Sequence, residues 1–526
     1  MSPSHFAKHC GWAGSHWLKT FALVLLVLAA GACSSLPDSS HVAPTYSLPA
    51  AEDGPLKELA AGFVQQHPQG HSGFSLISRA DEAMHARLAL IDSATTSLDL
   101  QYFIWSDDTA GDLLFERLMQ AADRGVRVRV LVDDFGLSAS SKGLSIASKH
   151  PNLSIHVFNP IPGRDGVIRS MFSWLSSFQE LNRRMHNKLM IADKQVAIVG
   201  GRNIGDAYFG LSDKYNFVDL DVLVIGQVIP ELASAFDEYW NDPIVFPAEA
   251  FTDSVDPKTH QKFRTWLRER VNKGAERQSL YPIEVQEWGP WLTQRSKGWL
   301  SGKGYFMQDD PVAIDGENLR LVDMLAYMSQ PSEHELILAS PYLIPVDNFL
   351  DALAEKAERG IEVHLITNSL GSNNHTIAHS HYRKYREDIL ATGARLYEFN
   401  HQPDTEVQSL AEPELGTAKF ISFHTKTMVA DGRRSFVGSL NFDPRALVIN
   451  TENGLLIDSE PVAVAIRDYL LKMKAPENAW QLQYQQDGKI IWRGADGQVL
   501  ERQPAQGTGQ RVKDSLYRWI PIESQL

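Results

Sequence analysis

Cysteine is almost absent from this chain. Its 526 residues include only two cysteines, Cys10 and Cys33, and both precede the part whose composition is that of a globular protein. A disulfide framework therefore cannot stabilise that part, and a cysteine-ligated metal site cannot form there. We expect its core to be held by packing alone.

The chain also lacks an excess of basic residues. It has 64 acidic and 50 basic residues, which gives a formal net charge of −14. Nucleic-acid-binding proteins usually present a basic surface, so this balance argues against a nucleic-acid substrate. Hydrophobic residues make up 43% and charged residues 22% of the sequence, as in ordinary globular proteins. At this length we expect two or more domains.

The N-terminal apolar run is too short to span a membrane. It covers residues 21–32 and has the length of the apolar region of a signal peptide. Ala30-Gly31-Ala32 directly before Cys33 resembles the lipobox of bacterial lipoproteins, in which the cysteine is acylated. We expect residues 1–32 to be a leader, Cys33 to carry lipid, and residues 33–75 to form a tether, because this stretch begins rich in Ser and Pro. An uncleaved signal anchor is the alternative.

A strand–helix–strand succession occurs twice. The first copy has a strand-like segment at Ser97–Trp105, a helical pattern that ends at Gly125, and a second strand-like segment at Val126–Val132. The same succession returns over residues 335–366 in nearly the same register. The pattern predicts an α/β fold built by duplication of half the chain. Two unrelated βαβ domains joined in one chain are the alternative.

The pattern HxKxxxxD occurs once in each copy. In a strand, the histidine and lysine two residues apart share one face, so an imidazole and an ammonium project together. The aspartates lie where the strand turns, and we interpret them as structural, capping the hairpin. A single HxK is explained equally well by a surface strand with ordinary cations, but two complete copies are not. The motif residues, which form the candidate catalytic set, are His186, Lys188, Asp193, His424, Lys426 and Asp431.

Each motif is followed by glycine and, three residues later, asparagine. The segments are Gly200-Gly201-Arg202-Asn203 and Gly438-Ser439-Leu440-Asn441. Glycine permits a close approach of the backbone, and an asparagine amide or a serine hydroxyl can donate to a phosphate oxygen. We expect Asn203, Asn441 and Ser439 to support phosphate binding.

If the two copies meet across a pseudo-twofold interface, their HxK pairs form one site for a phosphodiester. One histidine then attacks phosphorus, while the other protonates the leaving alcohol and deprotonates the incoming one. The lysines neutralise the transition state, so neither a metal nor a cofactor is expected. An attacking imidazole needs an acidic partner on its other nitrogen. The candidates are Asp219 and Glu452, with Asp221 as a competitor of Asp219.

These residues resemble the phospholipase D superfamily. Residues 186–203 and 424–441 match both halves of its motif, with Gly201 in the position where serine is usual. The resemblance implies a phospholipase D fold, in which two pseudo-twofold-related α-β-α sandwich domains with mixed sheets hold the active site at their interface. It also implies a phosphohistidine intermediate, with His186 as nucleophile and His424 as general acid and base. The residues themselves do not separate these two roles.

Within the superfamily, the chain is similar to bacterial cardiolipin synthases of the C type. The resemblance implies transfer of a phosphatidyl group from one phospholipid to phosphatidylglycerol or a similar acceptor, with phosphatidylethanolamine as a candidate second substrate. The lipoprotein-type N-terminus predicts that the protein is anchored to a membrane of the bacterial cell envelope. The segments that carry the resemblance are residues 100–108, 181–188, 200–209, 367–370 and 441–445.

The resemblance and the repeats predict the domain boundaries. They are a first domain over 76–250, a connection over 251–310, a second domain over 311–475 and a C-terminal extension over 476–526.

Other activities fit the same residues. A phospholipase D hydrolase uses the same groups with water as acceptor and releases phosphatidic acid. A nuclease of the superfamily is disfavoured by the acidic balance and the N-terminus. An inactive lipid-binding lipoprotein is disfavoured by two intact HxK pairs.

Several other segments have two interpretations each. The apolar segment Met171–Leu175 and the terminal Trp519–Ile522 can contact a membrane or pack on the protein, and for Trp288 and Trp291 core packing is favoured.

Three histidines lie near a strand end, where ligand sites gather, and a role facing a lipid headgroup is a hypothesis for His379. They lack acidic or cysteine partners in sequence, so we expect no metal there. The three are His375, His379 and His381.

Overall fold

The computed structural model describes residues 43–137, 141–162, 182–251, 256–277, 279–312, 320–346, 348–485 and 488–526. The predicted leader, Cys33 and the apolar segment Met171–Leu175 lie outside these residues. Within them, no helix has the length and apolar character that crossing a membrane requires.

The first half of the chain forms a mixed sheet flanked by helices. The sheet order is β9-β4-β3-β2-β5-β6-β8-β1, in which β2, β3 and β4 run parallel to one another, while their other neighbours pair antiparallel. These strands are β1 (Ser72–Ile77), β2 (Ser97–Trp105), β3 (Arg127–Leu137), β4 (Leu153–Phe158), β5 (Lys188–Ala192), β6 (Val196–Gly200), β8 (Asp221–Gly226) and β9 (Val245–Pro247), and β7 (Tyr215–Val218) lies outside this order. The helices are α1 (Pro55–Gln66), α2 (Ala80–Ser93), α3 (Thr109–Asp123), α4 (Ser141–Ala147), α5 (Ile229–Trp240), α6 (Pro257–Arg277) and α7 (Gly289–Ser296).

The second half repeats this arrangement strand for strand. Its order is β18-β13-β12-β11-β15-β16-β17-β10, extended beyond β18 by β19 and β20. The strands are β10 (Leu300–Gln308), β11 (Glu335–Ala339), β12 (Glu362–Asn368), β13 (Arg395–Phe399), β14 (Phe420–Phe423), β15 (Thr427–Ala430), β16 (Arg434–Gly438), β17 (Asn453–Asp458), β18 (Ala479–Tyr484), β19 (Ile490–Arg493) and β20 (Val499–Leu500). The helices are α8 (Arg320–Ser329), α9 (Phe349–Glu358), α10 (Thr376–Tyr382), α11 (Arg386–Ala391), α12 (Thr405–Ala411), α13 (Glu460–Met473) and α14 (Thr508–Tyr517).

The predicted strand–helix–strand units form the centre of each half. In the first half, Asp108 begins α3 by accepting a hydrogen bond from the Gly111 N–H at 3.1 Å, and Gly125 follows the helix with φ +96°. The connected strands β2 and β3 pair in parallel, as do β11 and β12. The predicted duplication and the mixed α/β fold are therefore confirmed.

Two strand pairings join the halves. Strands β1 and β10 are antiparallel neighbours, so the two sheets are continuous across the pseudo-twofold axis. Strands β7 and β14 form a separate parallel pair, with Phe423 opposite Val218. One buried apolar cluster also draws side chains from both halves, including Phe74 and Ile337. The interface is thus part of the hydrophobic core, which fixes the position of any site built on it.

Secondary-structure elements of the two domains lie in the segments predicted to be the tether, the connection and the C-terminal extension. Helix α1 lies within the predicted tether and strand β1 begins in it, yet Leu56 and Phe63 of α1 are buried in the first core. Strand β10 falls within the predicted connection, and β18 to β20 extend the second sheet within the predicted C-terminal extension. Trp288 is buried in the first core, and Trp291 packs against it, so core packing is the correct interpretation of both.

Candidate active site

His186 and His424 occupy equivalent positions in the two halves. Each lies just before a motif strand, β5 or β15. The His186 N–H donates to the Thr451 carbonyl at 2.8 Å, and the His424 N–H donates to the Val218 carbonyl at 2.8 Å. Because each hydrogen bond crosses to the other half, both imidazoles lie at the interface.

Each imidazole contacts a carboxylate from the opposite half. His186 Nδ1 lies 2.8 Å from Glu452 Oε2, and His424 Nδ1 lies 2.5 Å from Asp219 Oδ2. Both acids are fully buried. The neighbouring Asp221 instead forms ion pairs with Arg87 and Arg202, so Asp219 is the acid in contact with the histidine.

The motif lysines lie beside the histidines. Lys188 Nζ donates to the His186 carbonyl at 2.5 Å, and Lys426 Nζ donates to the His424 carbonyl at 2.6 Å. Lys426 Nζ is also 3.0 Å from His424 Nε2. The Lys188 ammonium lies 5.6 Å from the centre of the Phe103 ring, whose edge contacts the His186 ring. One motif lysine therefore lies beside each histidine.

Burial governs the ionisation of this cluster. It lowers the pKa of His186 and His424 well below the ordinary value, and the neighbouring lysines lower both further. It lowers the pKa of Lys188 to about 7 and that of Lys426 to about 8. The imidazoles are consequently neutral at pH 7. A neutral imidazole that donates from Nδ1 to its carboxylate leaves the Nε2 lone pair available for attack.

The motif aspartates anchor the hairpin turns. Asp193, fully buried, accepts hydrogen bonds from the backbone N–H groups of Thr95, Thr96 and Ser97 at 2.7 to 3.1 Å. Asp431 accepts from three consecutive N–H groups, those of residues 333–335, at 2.8 to 2.9 Å. Both carboxylates thus tie the motif hairpin to the start of the central strand in their own half, and neither contacts the histidine of its motif.

The two asparagines have different surroundings. The Asn203 carbonyl accepts from the Ile104 N–H at 3.1 Å, and its amide donates to the Tyr208 hydroxyl at 2.8 Å. Asn441 Oδ1 is buried and has no hydrogen-bond partner among the described residues. Asn441 is therefore better placed than Asn203 to take a ligand hydrogen bond.

Ser439 is directed at an acid. Its hydroxyl donates to Glu452 Oε2 and accepts from the Asn453 N–H at 2.9 Å. In the first half, a Cβ at Gly201 would lie only 2.3 Å from Asp219 Oδ1. The space that a serine would occupy at position 201 is filled by the Asp219 carboxylate, which explains why this half has glycine in the motif.

The predicted headgroup role of His379 is wrong. This histidine is fully buried, with Nδ1 2.7 Å from Asp514 Oδ1 and Nε2 3.0 Å from Arg386 Nη2. Both ring nitrogens therefore already have partners, Asp514 of α14 and Arg386. Asp514 is far from His379 in the sequence, so no local pattern suggested this contact. Across the ranges that the structure describes, no group of three or more histidine, cysteine, aspartate or glutamate side chains is arranged to hold a metal.

A polar cavity of about 600 Å³ opens beside His424. Tyr208 and Phe217 line it, and the centres of their rings lie 5.3 Å and 4.6 Å from that of His424. Its walls also include Asp206 and His375. Neither Tyr208 nor His375 was predicted from the sequence to have a role in the site, although Tyr208 lies in the segment 200–209 that carries the resemblance. The fold brings His375, from a loop of the second half, to the same cavity.

Comparison with known proteins identifies the family. The family model described as "Cardiolipin synthase, PLD-like domain" matches residues 88–240 and 324–474. These stretches cover more than half of the chain and contain both motifs. The chain belongs to this phospholipase D-like cardiolipin synthase family.

Its similarity to individual proteins extends over nearly the full length. The chain is 34% identical over 482 residues to cardiolipin synthase C of Escherichia coli, covering 89% of this chain and 99% of the relative. It is 29% identical to an uncharacterized protein of Helicobacter pylori, with 92% and 94% coverage. The crystal structure of phosphatidylserine synthase from Haemophilus influenzae has a TM-score of 0.57 at 13% identity and covers 90% of this chain and all of that one. That structure supports the phospholipase D fold alone.

We expect Asp193→Ala to lower the free energy of unfolding by roughly 3 kcal/mol, because three backbone N–H groups, including that of the buried Ser97, lose a charged acceptor. The matched Asp431→Ala should cost less, since Asp431 is partly exposed. Thermal denaturation of both variants measures the difference. Loss of turnover in Asp193→Ala with an unchanged melting temperature would show that the aspartate acts in the chemistry instead.

Binding of sulfate should weaken as the pH rises from 6 to 9. Lys188 and Lys426 are cationic below their pKa values of about 7 and 8 and lose that charge above them, while the charge of sulfate stays constant. We expect affinity to fall about tenfold or more over this range. Isothermal titration calorimetry measures it, with Lys188→Met as the variant in which part of the dependence disappears. A sulfate affinity that is independent of pH would contradict the assignment of these pKa values to the two lysines.

Proposed function

We propose that the protein is a phosphatidyltransferase that forms cardiolipin from phosphatidylglycerol and a second phospholipid through a phosphohistidine intermediate. The observation that supports this most directly is the pair of crossed histidine–carboxylate contacts, each flanked by a buried lysine. Phospholipids are the substrates indicated by the family and by the E. coli relative named cardiolipin synthase C. Phosphatidylethanolamine is a candidate for the second phospholipid.

In the first step, His186 Nε2 attacks the phosphorus of the donor phospholipid. A P–N bond forms, the P–O bond to the headgroup alcohol breaks, and His424 gives its proton to the leaving oxygen. Asp219 stabilises the imidazolium form of His424 that this step requires. A bound phosphodiester brings negative charge between the two lysines, which offsets their effect on the histidine pKa.

In the second step, a hydroxyl of phosphatidylglycerol attacks the phosphohistidine. His424 takes the hydroxyl proton, a new P–O bond forms, and the P–N bond to His186 breaks. This division of roles is supported by the cavity beside His424, since an alcohol can leave and another can enter on that side. Lys188 and Lys426 neutralise the negative charge on the phosphoryl oxygens in both transition states.

We also propose that the protein acts at a membrane of the bacterial cell envelope. The support is the signal-like N-terminus, in which the small residues Ala30-Gly31-Ala32 precede Cys33, together with a phospholipid substrate, which resides in bilayers. Lipid modification of Cys33 would keep the catalytic part at that surface.

Product analysis tests the proposal. Purified protein is incubated with labelled phosphatidylglycerol and phosphatidylethanolamine in mixed micelles, and the lipids are separated. We expect cardiolipin to accumulate and a headgroup alcohol to be released. Phosphatidic acid as the main product would identify a hydrolase, and absence of any turnover would favour a lipid-binding protein.

Substitution of the histidines separates their roles. His186→Ala and His424→Ala should each lower kcat by about 10³-fold or more, because one removes the nucleophile and the other the proton donor. With a donor labelled at phosphorus, a covalent phosphohistidine should still form in His424→Ala, more slowly than in the wild type, and should be absent from His186→Ala. The exposed His334→Ala serves as control and should retain full activity. Full activity of either catalytic variant would contradict the two-histidine mechanism.

A further inference from the structure

The C-terminal helix α14 and the turn that follows it expose apolar side chains. Val512 and Leu516 are 53% and 63% exposed, and Trp519 and Ile520 directly after the helix are 74% and 38% exposed. Leu516, Trp519 and Ile520 follow Val512 by four, seven and eight residues. This spacing places Val512 and Leu516 on one face of α14, and the two residues after the helix continue that face. We call these four residues the C-terminal stripe.

The opposite face of α14 is polar and faces the protein. Asp514 is fully buried and interacts with His379, Arg383 and Gln503. One turn earlier, the Gln510 amide donates to the Leu370 carbonyl at 2.6 Å. The helix is therefore attached to the second domain through charge and hydrogen bonds.

This arrangement is the reverse of that expected for a helix surrounded by water. The hydrophobic effect favours burial of apolar side chains, and a buried charge is costly unless it is paired. Here the carboxylate lies inside and the leucine and tryptophan lie outside. Pairing with His379 and Arg383 accounts for the buried carboxylate, and an apolar medium on the outer side of the stripe accounts for the exposed leucine and tryptophan.

The charges around the stripe fit a negatively charged surface. Lys513 and Arg518 are exposed beside it, although the whole chain carries a net charge of −14. The Arg518 guanidinium lies 4.8 Å from the centre of the Trp519 ring. A helix end with tryptophan and leucine on one side and basic residues beside them is suited to the interface of a bilayer that contains anionic lipid.

The end of the chain connects this surface to the catalytic site. The Leu526 carbonyl accepts from the Arg445 N–H at 2.8 Å, and the Arg445 guanidinium donates to Asn182 Oδ1 at 2.9 Å, four residues before His186. Arg445 also contributes to the lowered pKa of His186, so the two lie close together.

Further apolar side chains are exposed near the residues that surround His186. Val448, in the helical turn that contains Arg445, is 45% exposed. Phe135 is 63% exposed and stacks on Phe103, which contacts the His186 ring. Each half thus has an exposed apolar side chain near the His186 side of the site.

We propose that the C-terminal stripe docks on the surface of a bilayer containing anionic phospholipid and turns the His186 side of the active site toward the lipid. The proposal rests on the proposed function for the nature of the substrate. Docking itself requires no turnover, and it adds a defined contact surface to any attachment through the N-terminus.

Fluorescence quenching by brominated lipids tests this contact. The full-length protein is mixed with vesicles of phosphatidylglycerol and phosphatidylcholine whose acyl chains carry bromine, and tryptophan emission is recorded. Trp519→Phe should reduce the quenched intensity. The matched control is Trp266, which is also exposed, at 45%, and also lies 4.8 Å from an arginine guanidinium. Because Trp266 belongs to α6 and not to the C-terminal stripe, Trp266→Phe should leave the quenched intensity unchanged. Quenching that is the same in wild type and Trp519→Phe would overturn the proposal.

A second variant tests the consequence for turnover. Leu516→Ser combined with Trp519→Ser should lower transfer on vesicles about tenfold, since two apolar side chains no longer enter the interface, and leave transfer in detergent micelles unchanged. Equal losses in vesicles and micelles would overturn the proposal. Absence of transfer in every form, with quenching by Trp519 intact, would contradict only the proposed function.

The stripe could instead pair with a second copy of the chain. In that case the double variant should convert a dimer into a monomer in sedimentation experiments without vesicles, and quenching should be independent of Trp519. This outcome would overturn bilayer docking.

Discussion

The structure of the site depends on the exchange of carboxylates between the two halves. The imidazole of each half is oriented by an acid that the other half supplies, Glu452 for His186 and Asp219 for His424. A buried carboxylate without a partner is strongly unfavourable, so both pairs stabilise the closed interface as well as orient the rings. A separated half would have a histidine without its acid and an acid without its histidine. The seam through β1 and β10 and the shared apolar core keep these contacts in register.

The same burial explains the balance of charges. Two carboxyl and two lysine side chains lie together around two neutral imidazoles, and burial raises the pKa of Asp219 and Glu452 while it lowers that of the lysines, so all four groups are shifted toward their neutral forms. Removal from water brings the pKa values of Lys188 and Lys426 close to physiological pH. The arrival of a phosphodiester then supplies the negative charge that holds these protons in place. Substrate binding and the cationic state of the site therefore favour one another.

Much of this could be predicted from the sequence. The duplicated strand–helix–strand units and both HxK pairs were visible because they depend on short-range spacing along strands. The aspartates of the motif were interpreted as hairpin anchors, and in the structure the carboxylates at both turns accept hydrogen bonds from backbone N–H groups. The family followed from the same residues.

What the sequence did not show depends on contacts between distant segments. Spacing placed Asp219 and Glu452 among the candidate acids but did not show that each serves the other half. The burial of His379 against Asp514 of α14 joins residues 135 positions apart, which no local pattern encodes. Ser439 was expected to face phosphate, and its link to Glu452 became visible only in the folded chain.

The two halves differ in the residue that follows the motif, which is Gly201 in the first half and Ser439 in the second. A side chain at position 201 would clash with the Asp219 carboxylate, whereas Ser439 donates to the longer Glu452, so the residue after the motif and the acid are matched within each half. The two copies of the original duplication have thus become specialised and are no longer interchangeable: joining two first halves or two second halves would not rebuild the same pocket.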